Sequence, residues 1–337
     1  MSSVQQFVGL DYHDEVVQVC VMDSAGKMLE NRACRNDASE IMAIVTPHGR
    51  KVRGAIEACC GAANLAEELI LRAGWSMDLA HPGYVARLKQ SPDKHDFGDA
   101  RLLADLVRVG YLPKVWLAPE NIREFRRVVR YRQQLAKERR NCKLQIRGLL
   151  RDGRVPKPGV QAWTMKWRRW LEVAPQIHGK MRWVIDRQLR RLEFLEKEIR
   201  IVERQLMQMT KEDPVAQKLL TLKGIGLITA ATLRAEIGHF ARFRTGKQLS
   251  RFCGLSPRNA SSGQRQADAG LIRAGNPELR AVLIEAAHRL KRFDPRWRQL
   301  ALEMRFRGKP ANVITAAVAN RWIRGLYHTM CALETAC

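Results

Sequence analysis

The hydrophobic and polar positions of the first 120 residues alternate between two patterns. Short apolar runs rich in β-branched residues are typical of buried strands, and the amphipathic stretches between them have helical spacing. Strands are predicted at Phe7–Leu10, Val16–Met22, Val52–Glu57 and Trp75–Ala80, and helices at Asn64–Ala73 and Gly98–Val109. The first two strands, separated by a short turn, predict a hairpin that opens a sheet. The alternation as a whole predicts an α/β domain over residues 1–120.

The rest of the chain follows helical periodicity. A basic helix is predicted over residues 121–150, and the glycines and prolines of 152–159 end it. From Arg182 to Met209 apolar residues recur in a nearly heptad rhythm, typical of a coiled-coil seam between subunits or of a two-helix hairpin within one chain. This seam consists of Ile185, Leu189, Leu192, Leu195, Ile199, Val202 and Leu206. Residues 211–337 predict a mainly helical domain, so we expect three parts: 1–120, 121–210 and 211–337.

The net charge of +25 is distributed unevenly over these parts. Residues 1–120 carry 13 Lys/Arg and 16 Asp/Glu, residues 121–210 carry 24 and 9, and residues 211–337 carry 22 and 9. A strongly basic surface releases counterions from a phosphate backbone, so the last two parts are expected to bind nucleic acid. The slightly acidic first part is expected to hold a divalent metal with its carboxylates.

Other features of the composition disfavour several classes of protein. No apolar run reaches the roughly 18 residues of a membrane span, and the basic residues are too dispersed for a single membrane-surface helix. The eight cysteines lack paired spacing, which disfavours a disulfide framework or a zinc site. The N-terminal residues lack the features of a secretory signal, so we expect a cytoplasmic protein.

Four carboxylates of the first part are candidate metal ligands: Asp11 and Glu57 at predicted strand ends, and Asp96 and Asp99 at a predicted helix start. Residues three apart lie on the same face of a helix, so the two helical acids can converge. Such oxygen ligands suit one or two Mg²⁺ ions, which would offset the repulsion among four acids. The alternative is that each acid is only a helix cap or a solvated surface charge.

In the last part, two apolar helices flank the turn Lys223-Gly224-Ile225-Gly226. This pattern looks like a helix-hairpin-helix, in which glycines let backbone N–H groups and a helix N-terminus approach a phosphate. Lys223, Gly224 and Gly226 are therefore candidate nucleic-acid contacts. A plain corner between two helices is the alternative.

A polar, glycine-punctuated loop is predicted over residues 254–275, and it contains Ser261 and Ser262. Such a loop is ordinarily a linker, but four arginines flank the serines in the sequence: Arg258, Arg265, Arg273 and Arg280. Their guanidinium groups could neutralise a phosphate and stabilise the charge that develops during attack on it. A serine hydroxyl among them is a candidate nucleophile that would form a phosphoserine bond to DNA.

Several stretches of the chain, in this order and spacing, resemble the bridge-RNA-guided insertion-sequence transposases. They are GLDYHDE (9–15), IEACCG (56–61), HDFGDARLLADL (95–106), LKGIGLITAATLRAEIG (222–238), GLSPRNASSG (254–263) and IRAGNPELR (272–280). The resemblance covers essentially the whole chain. It implies a RuvC-like (RNase H-like) DEDD domain joined to a C-terminal transposase domain with a catalytic serine. Between them we expect the helical connector, with its coiled-coil seam.

The resemblance also implies roles for individual residues. Asp11, Glu57, Asp96 and Asp99 correspond to the four metal-binding acids, with Mg²⁺ or Mn²⁺ as the cofactor. Ser262 corresponds to the nucleophilic serine, and Ser261 takes that place if the register is off by one. The enzymes work as dimers that pair into tetramers. An element-encoded bridge RNA pairs with donor and target DNA. Strand exchange passes through a 5′-phosphoserine intermediate and a Holliday junction, and in a bacterium this would take place at the nucleoid.

The chain departs from the family pattern at two places. Cys59 and Cys60 stand where a small hydroxyl residue and glycine are usual, and Lys94-His95 stands in place of Lys-Thr. Neither change removes a catalytic atom. Two other hypotheses remain: a metal-only endonuclease or Holliday-junction resolvase whose serine loop is structural, and a nucleic-acid-binding scaffold with a degenerate nuclease fold. The retained carboxylates argue against the scaffold.

Overall fold

The computed structural model describes residues 5–49, 51–88, 96–259, 268–272 and 275–336. The chain divides into two compact units, Met1–Pro119 and Glu120–Cys337. The first unit is a mixed α/β domain and the second is mainly helical, which confirms the predicted fold class at this level. The finer division into three parts stays a prediction, since residues 121–210 and 211–337 lie within the same compact unit.

The strands of the first unit form one mixed sheet. The described strands are β1 (Gln5–Tyr12), β2 (Val16–Met22), β3 (Met28–Arg35), β4 (Lys51–Glu57), β5 (Ser76–Ala80) and β6 (Lys114–Val115), in the order β3-β2-β1-β4-β5-β6. The predicted hairpin is present, because β1 pairs antiparallel with β2. On its other side β1 runs parallel to β4, and β4 runs parallel to β5. The chain therefore places the carboxyl ends of three parallel strands at one edge of the sheet.

Helices cover both faces of this sheet. They are α1 (Ala38–Val45), α2 (Ala62–Ala73), α3 (Pro82–Leu88) and α4 (Asp96–Arg108). Successive residues of a strand point to opposite faces. Leu10 and Ile56 accordingly pack in the core shared with α1 and α2. Phe7 and Ala55 pack on the other face, against α4. The same alternation puts residues 9 and 11 of β1 on the α4 face.

Gly9 allows α4 to lie directly on β1. A Cβ atom at this position would come within 1.9 Å of the Ala100 carbonyl oxygen and 2.5 Å of the Ala104 amide nitrogen. Real Cβ atoms do not approach backbone atoms this closely, so any side chain here would push the helix away from the strand. The absence of a side chain at Gly9 therefore sets the position of α4, and with it the first turn of that helix.

The second unit is built from helices and one small hairpin. In the described residues the helices are α5 (Glu120–Asp152), α6 (Met165–Val173), α7 (Gly179–Glu212), α8 (Pro214–Leu220), α9 (Leu227–Ile237), α10 (Gly246–Phe252), α11 (Pro277–Phe293), α12 (Pro295–Phe306) and α13 (Ala311–Ala336). The hairpin pairs β7 (Pro257–Asn259) antiparallel with β8 (Asp268–Leu271). The segment 254–275, predicted as a loop, thus contains two short strands.

The heptad-like seam of α7 packs inside the chain. Ile199 and Leu206 are buried with Phe125 and Val129 of α5 and with Ala231 of α9. The structure therefore favours the two-helix hairpin and corrects the expectation of a coiled-coil seam between subunits. An apolar face that is already covered by two helices of its own chain leaves no seam for a second subunit.

Candidate metal centre

Asp11 and Glu57 occupy equivalent places on two neighbouring parallel strands. Asp11 is the penultimate residue of β1, and Glu57 is the last residue of β4. The register pairs Leu10 with Ile56, so the two acids come one residue later at the same edge of the sheet. Leu10 and Ile56, which directly precede the two acids, point into the core shared with α1 and α2. Side chains alternate along a strand, so those of Asp11 and Glu57 lie on the opposite face, which α4 covers.

Asp96 and Asp99 lie in the first turn of α4. Ala100 and Ala104 of this helix pack directly on Gly9 of β1. Gly9 lies two residues before Asp11 in the same strand, so the helix covers the strand close to Asp11. Carboxylates in a first helical turn are also stabilised by the positive end of the helix dipole. Sheet register and helix packing thus bring acids from three separate segments of the chain together.

The electrostatics of Asp11 reflect this convergence. Its pKa is raised above the ordinary aspartate value, first by burial and further by the negative charges of Asp99, Asp96 and Glu57, while His13 lowers it. The Asp11 side chain is only 13% exposed. Its Oδ2 atom is buried and has no hydrogen-bond partner among the described residues. A buried carboxylate oxygen that faces other acids and has no donor is costly unless a cation binds it.

His13 belongs to this acidic cluster, although the sequence did not point to it. Its Nε2 atom lies 3.5 Å from Asp11 Oδ2 and 3.5 Å from Asp96 Oδ1, and one ligand atom from each of the three residues lies within 4.8 Å of the others. These distances exceed those of good hydrogen bonds. The available signal was the two-residue spacing of Asp11 and His13, which puts both side chains on one face at the end of β1.

The donor chemistry of the cluster fits a divalent cation. Carboxylate oxygens are the ligands that Mg²⁺ prefers, and an added imidazole nitrogen is compatible with Mn²⁺. Neighbouring Cys59 is a poor ligand, because partial burial together with Glu57, Cys60 and Asp11 raises the pKa of its thiol. Lys94 and His95 lie outside the described residues. In the described residues, Asp11, His13 and Asp96 are the group whose possible ligand atoms lie within 4.8 Å of one another, and Asp99 and Glu57 are near enough for their charges to act on Asp11. That the four acids together hold an ion stays a prediction.

The Lys223–Gly226 segment forms a turn between two helices, as predicted. Gly224 has φ +79°, a conformation that favours glycine, and Gly226 directly precedes α9. A buried ion pair holds the two helices: Asp213 Oδ2 accepts from Arg234 Nε at 2.7 Å, and Asp213 Oδ1 caps α8 by accepting from the Ala216 amide. Lys223 is exposed at this turn. Whether the turn contacts nucleic acid remains a prediction.

The serine loop is only partly described. Ser261, Ser262, Arg265 and Arg273 lie outside the described residues. Arg258 is exposed on β7. Arg280 is half-buried in α11, and its Nη1 atom donates to the Ile272 carbonyl at 3.2 Å. Arg280 therefore helps to hold the end of the β7–β8 hairpin, and the described residues do not test the nucleophile assignment.

The mixed α/β unit with its converging carboxylates is consistent with a DEDD nuclease-like domain. A family model described as a transposase, of the DEDD type of IS110, matches residues 8–153, and a model described as the transposase IS116/IS110/IS902 family matches residues 216–301. The chain belongs to this family of insertion-sequence transposases, and it is therefore an enzyme that cleaves and rejoins DNA. The DEDD domain implies that this enzyme depends on a divalent metal.

Curated relatives extend the similarity over most of the chain. The chain is 29% identical to a probable family 20 transposase of Pseudomonas aeruginosa, over 95% of both proteins. It is 26% identical to the transposase for insertion sequence element IS1328 of Yersinia enterocolitica, over 94% of both. It is also 26% identical to the transposase for insertion sequence element IS1111A of Coxiella burnetii, over 85% of this chain and 78% of that protein. No described helix is both long and apolar enough to cross a membrane.

Proposed function

We propose that the chain is an RNA-guided DNA transposase that combines a divalent-metal site with a serine nucleophile. The observation that carries the proposal is the convergence of Asp11, Glu57, Asp96 and Asp99 at one end of the sheet. The antiparallel strands β1, β2 and β3, followed in the chain by β4 and β5 parallel to β1, support a RuvC-like (RNase H-like) domain as the source of the site.

The four acids would hold Mg²⁺, with Mn²⁺ as a substitute. When bound, the ion would offset negative charge on the scissile phosphate and on the oxygens that attack it and leave it. The residues themselves supply fixed oxygens, because strand ends and a packed helix turn restrict their movement. The pKa of Asp11 is raised first by burial and further by the neighbouring acids, and a bound cation would offset both effects.

Ser262 is the proposed nucleophile, with Ser261 as the alternative. Its Oγ would attack the phosphorus of a phosphodiester and form a 5′-phosphoserine bond as the bond from phosphorus to the 3′ oxygen breaks. The serine proton goes to solvent and the 3′ oxygen takes up a proton. In the second step of strand exchange, a 3′ hydroxyl of the other cleaved DNA strand attacks the phosphorus of the phosphoserine. The bond from phosphorus to Ser262 Oγ breaks, and the serine takes up a proton. Arg258, Arg265, Arg273 and Arg280 would bind the phosphate during both steps.

The proposed partners are an element-encoded bridge RNA and the donor and target DNA. The RNA supplies the base sequence that selects each DNA, so the protein binds phosphates and shape. Lys223, Gly224 and Gly226 of the helix-hairpin-helix-like turn are the proposed backbone contacts. The assembly would be a dimer that pairs into a tetramer, and its place would be the bacterial cytoplasm at the nucleoid. The high content of Lys and Arg supports a partner rich in phosphate.

The decisive experiment is a search for the covalent intermediate. Protein, element RNA and end-labelled DNA are incubated with Mg²⁺, denatured and separated by electrophoresis. We expect a protein–DNA adduct that disappears in Ser262→Ala and persists in the matched control Ser261→Ala. The reverse pattern would move the nucleophile to Ser261. If the DNA is cleaved but neither the wild type nor Ser261→Ala forms an adduct, the serine mechanism is refuted.

The same reaction tests RNA guidance. Without RNA, or with an RNA whose DNA-pairing segments are scrambled, we expect recombination at the designated target to be lost. Recombination that continues at the same target without RNA would contradict the proposal.

The alternative function is a metal-dependent Holliday-junction resolvase without covalent serine chemistry. The acidic cluster alone would serve such an enzyme. It predicts Mg²⁺-dependent cleavage of a synthetic four-way junction that Ser262→Ala leaves intact and Asp11→Asn removes.

A further inference from the structure

One face of the C-terminal helix α13 borders two adjoining cavities, of about 740 and 950 Å³. Arg321 and Arg324 line both cavities, so their side chains stand on the ridge between them. Arg244 and Lys247 near the start of α10 and Arg296 of α12 line the smaller cavity with them. We call the concave surface formed by these five residues the α13 groove.

The α13 groove carries charge of one sign only. No Asp or Glu with a described side chain lines either cavity, and none of the five cations forms an ion pair with a described residue. Arg244, Lys247, Arg296 and Arg321 are exposed, and Arg324 is half-buried. Arg321 and Arg324 are three residues apart on one helix, a spacing at which like charges repel each other. The described part of the chain therefore concentrates positive charge in the groove without providing a counter-charge.

Two arginines on the α5 side of the same unit show the contrast, because each is neutralised within the chain. Arg132 Nη2 lies 2.7 Å from Glu203 Oε1 between α5 and α7. Arg130 forms two hydrogen bonds with the buried Glu236 of α9, at 2.9 and 3.0 Å. What distinguishes the α13 groove is that five cations line adjoining cavities in which no described acid side chain offsets them. A polyanion bound in the groove would supply that counter-charge.

The shape of the groove suits an extended anion that is bound through its backbone. The opposite face of α13 is fixed in the core by Val318, Ile323 and Met330, so the cationic face cannot turn inward. Trp297 at the groove is 7% exposed and lies beneath the guanidinium of Arg296, so it offers no free ring for stacking on a base. Gly246 brings α10 against the α13 backbone, since a Cβ there would lie 2.8 Å from the Arg324 carbonyl oxygen. Lys247 and Arg324 therefore stand on two helices that are packed together.

We propose that the α13 groove binds the phosphate backbone of duplex DNA through Arg244, Lys247, Arg296, Arg321 and Arg324. Double-stranded DNA carries one negative charge per roughly 1.7 Å of its axis, so two adjoining basic cavities contact several phosphates at once.

Pro257 and Leu271 of the β7–β8 hairpin line the larger cavity. Ser262 follows the end of β7 by three residues in the chain. DNA in the groove would therefore lie beside the hairpin that carries the proposed nucleophile. The proposal depends on the DNA chemistry of the family, and it does not require the serine mechanism or the guide RNA.

Gly325 offers a clean test, because it lines the smaller cavity and a Cβ at this position would meet no atom within 4 Å. Gly325→Glu would add a carboxylate at the groove from a position where the Cβ has open space, and Gly325→Ala is the matched control. Binding of fluorescent duplex DNA to the full chain is measured by anisotropy at several salt concentrations. We expect Gly325→Glu to weaken DNA binding at least about tenfold at low salt, and Gly325→Ala to bind like the wild type.

Competition with unlabelled duplex RNA tests whether the groove binds the phosphates of DNA or those of RNA. Loss of DNA binding in Gly325→Glu, with Gly325→Ala unchanged and equal thermal stability of the two variants, supports the proposal. Unchanged DNA binding in Gly325→Glu would overturn it, as would a defect confined to RNA. If Gly325→Glu proves unstable, Arg321→Gln combined with Arg324→Gln takes its place with the same expected loss. The adduct assay with Ser262→Ala is independent, so failure of the groove and failure of the serine mechanism are distinguishable.

Discussion

The acidic cluster of the sheet and the α13 groove both concentrate charge of one sign, but they are built in different ways. Asp11 is held at a strand end, is only 13% exposed and meets acids delivered by a neighbouring strand and a packed helix. The groove cations are long side chains on helices or, for Arg244, just before α10, and most are exposed. A small hard cation needs oxygens at nearly fixed distances of about 2.0–2.1 Å. A polyanion presents many equivalent phosphates and tolerates mobile partners.

The buried ion pair of Asp213 and Arg234 provides a third case. Both side chains are nearly inaccessible, at 11% and 5% exposure, and each is neutralised by the other. Asp213 also caps α8, and Arg234 Nη1 donates to the Gly238 carbonyl. Here the charges stabilise the connection between two helices. In the two proposed binding sites the charges lack a counter-charge among the described residues, whereas the matched charges of Asp213 and Arg234 support the fold.

The largest expected effect is at the acidic cluster. Asp11→Asn keeps the shape of the side chain and removes its charge. We expect DNA cleavage with Mg²⁺ to fall by about 1000-fold, which corresponds to roughly 4 kcal/mol of transition-state stabilisation. Cleavage of labelled DNA measures this loss.

The same variant separates catalysis from stability. The raised pKa of Asp11 means that ionising it costs more in the metal-free folded chain than in the unfolded chain, so above the unfolded-state pKa its titration lowers the free energy of unfolding. Asp11→Asn should therefore melt at the same or a higher temperature without metal, and it should lose the rise in melting temperature that Mg²⁺ gives the wild type. A lower melting temperature without metal would contradict the role given to Asp11.

In the buried ion pair of Asp213 and Arg234, by contrast, removing the carboxylate should destabilise the fold. Asp213→Ala leaves Arg234 buried without its partner, so we expect the free energy of unfolding to fall by roughly 3 kcal/mol or more. Chemical denaturation measures this change. Asp186→Ala is the control, because Asp186 lies 3.8 Å from Arg182 in a partly exposed pair and should cost at most about 0.5 kcal/mol. Equal effects of the two substitutions would remove the distinction between the sites.

Gly9→Ala tests how the acidic cluster is assembled. The added methyl group would clash with the α4 backbone, so we expect a loss of roughly 2 kcal/mol in stability together with reduced cleavage. Gly98→Ala is the control within α4, because its Cβ would meet no atom within 4 Å and alanine is the better helix former. Gly98→Ala should be neutral or stabilising. Wild-type cleavage in Gly9→Ala would show that α4 does not set the geometry of the acids.

The smallest effect is expected for single cations of the α13 groove. Arg321→Ala should weaken duplex binding by only about threefold at moderate salt, because other cations bind the neighbouring phosphates. The slope of log affinity against log salt should become shallower by about 0.9 for each phosphate that the variant no longer neutralises. A titration series from low to high salt measures the slope. A large loss of affinity with an unchanged slope would point to a structural role for Arg321.

The sequence predicted the strand ends and the helix start that carry the acids, because strand and helix periods are local properties. It did not predict β3, whose residues Met28–Arg35 mix exposed and half-buried positions without a two-residue period. Nor did it predict α1, although Asp37 caps this helix by accepting from the Ser39 and Glu40 amides. An edge strand such as β3 has little apolar pattern, so tertiary contacts decide whether it forms. In α1 the missed signal was local, in the Asp37 cap and the buried Ile41 and Val45.

The sequence by itself determined an α/β domain with four acids at element ends, a basic helical remainder and the resemblance to a transposase family. Only the tertiary structure decided that His13 joins the acids and that the α7 seam is covered by α5 and α9. It also decided that Arg132 and Arg234 have acidic partners, whereas Arg321 and Arg324 form no ion pair within the described residues. The physical reason is that periodicity and charge are properties of neighbouring residues. Burial and ion pairing depend on segments that are far apart in the chain and meet only when it folds.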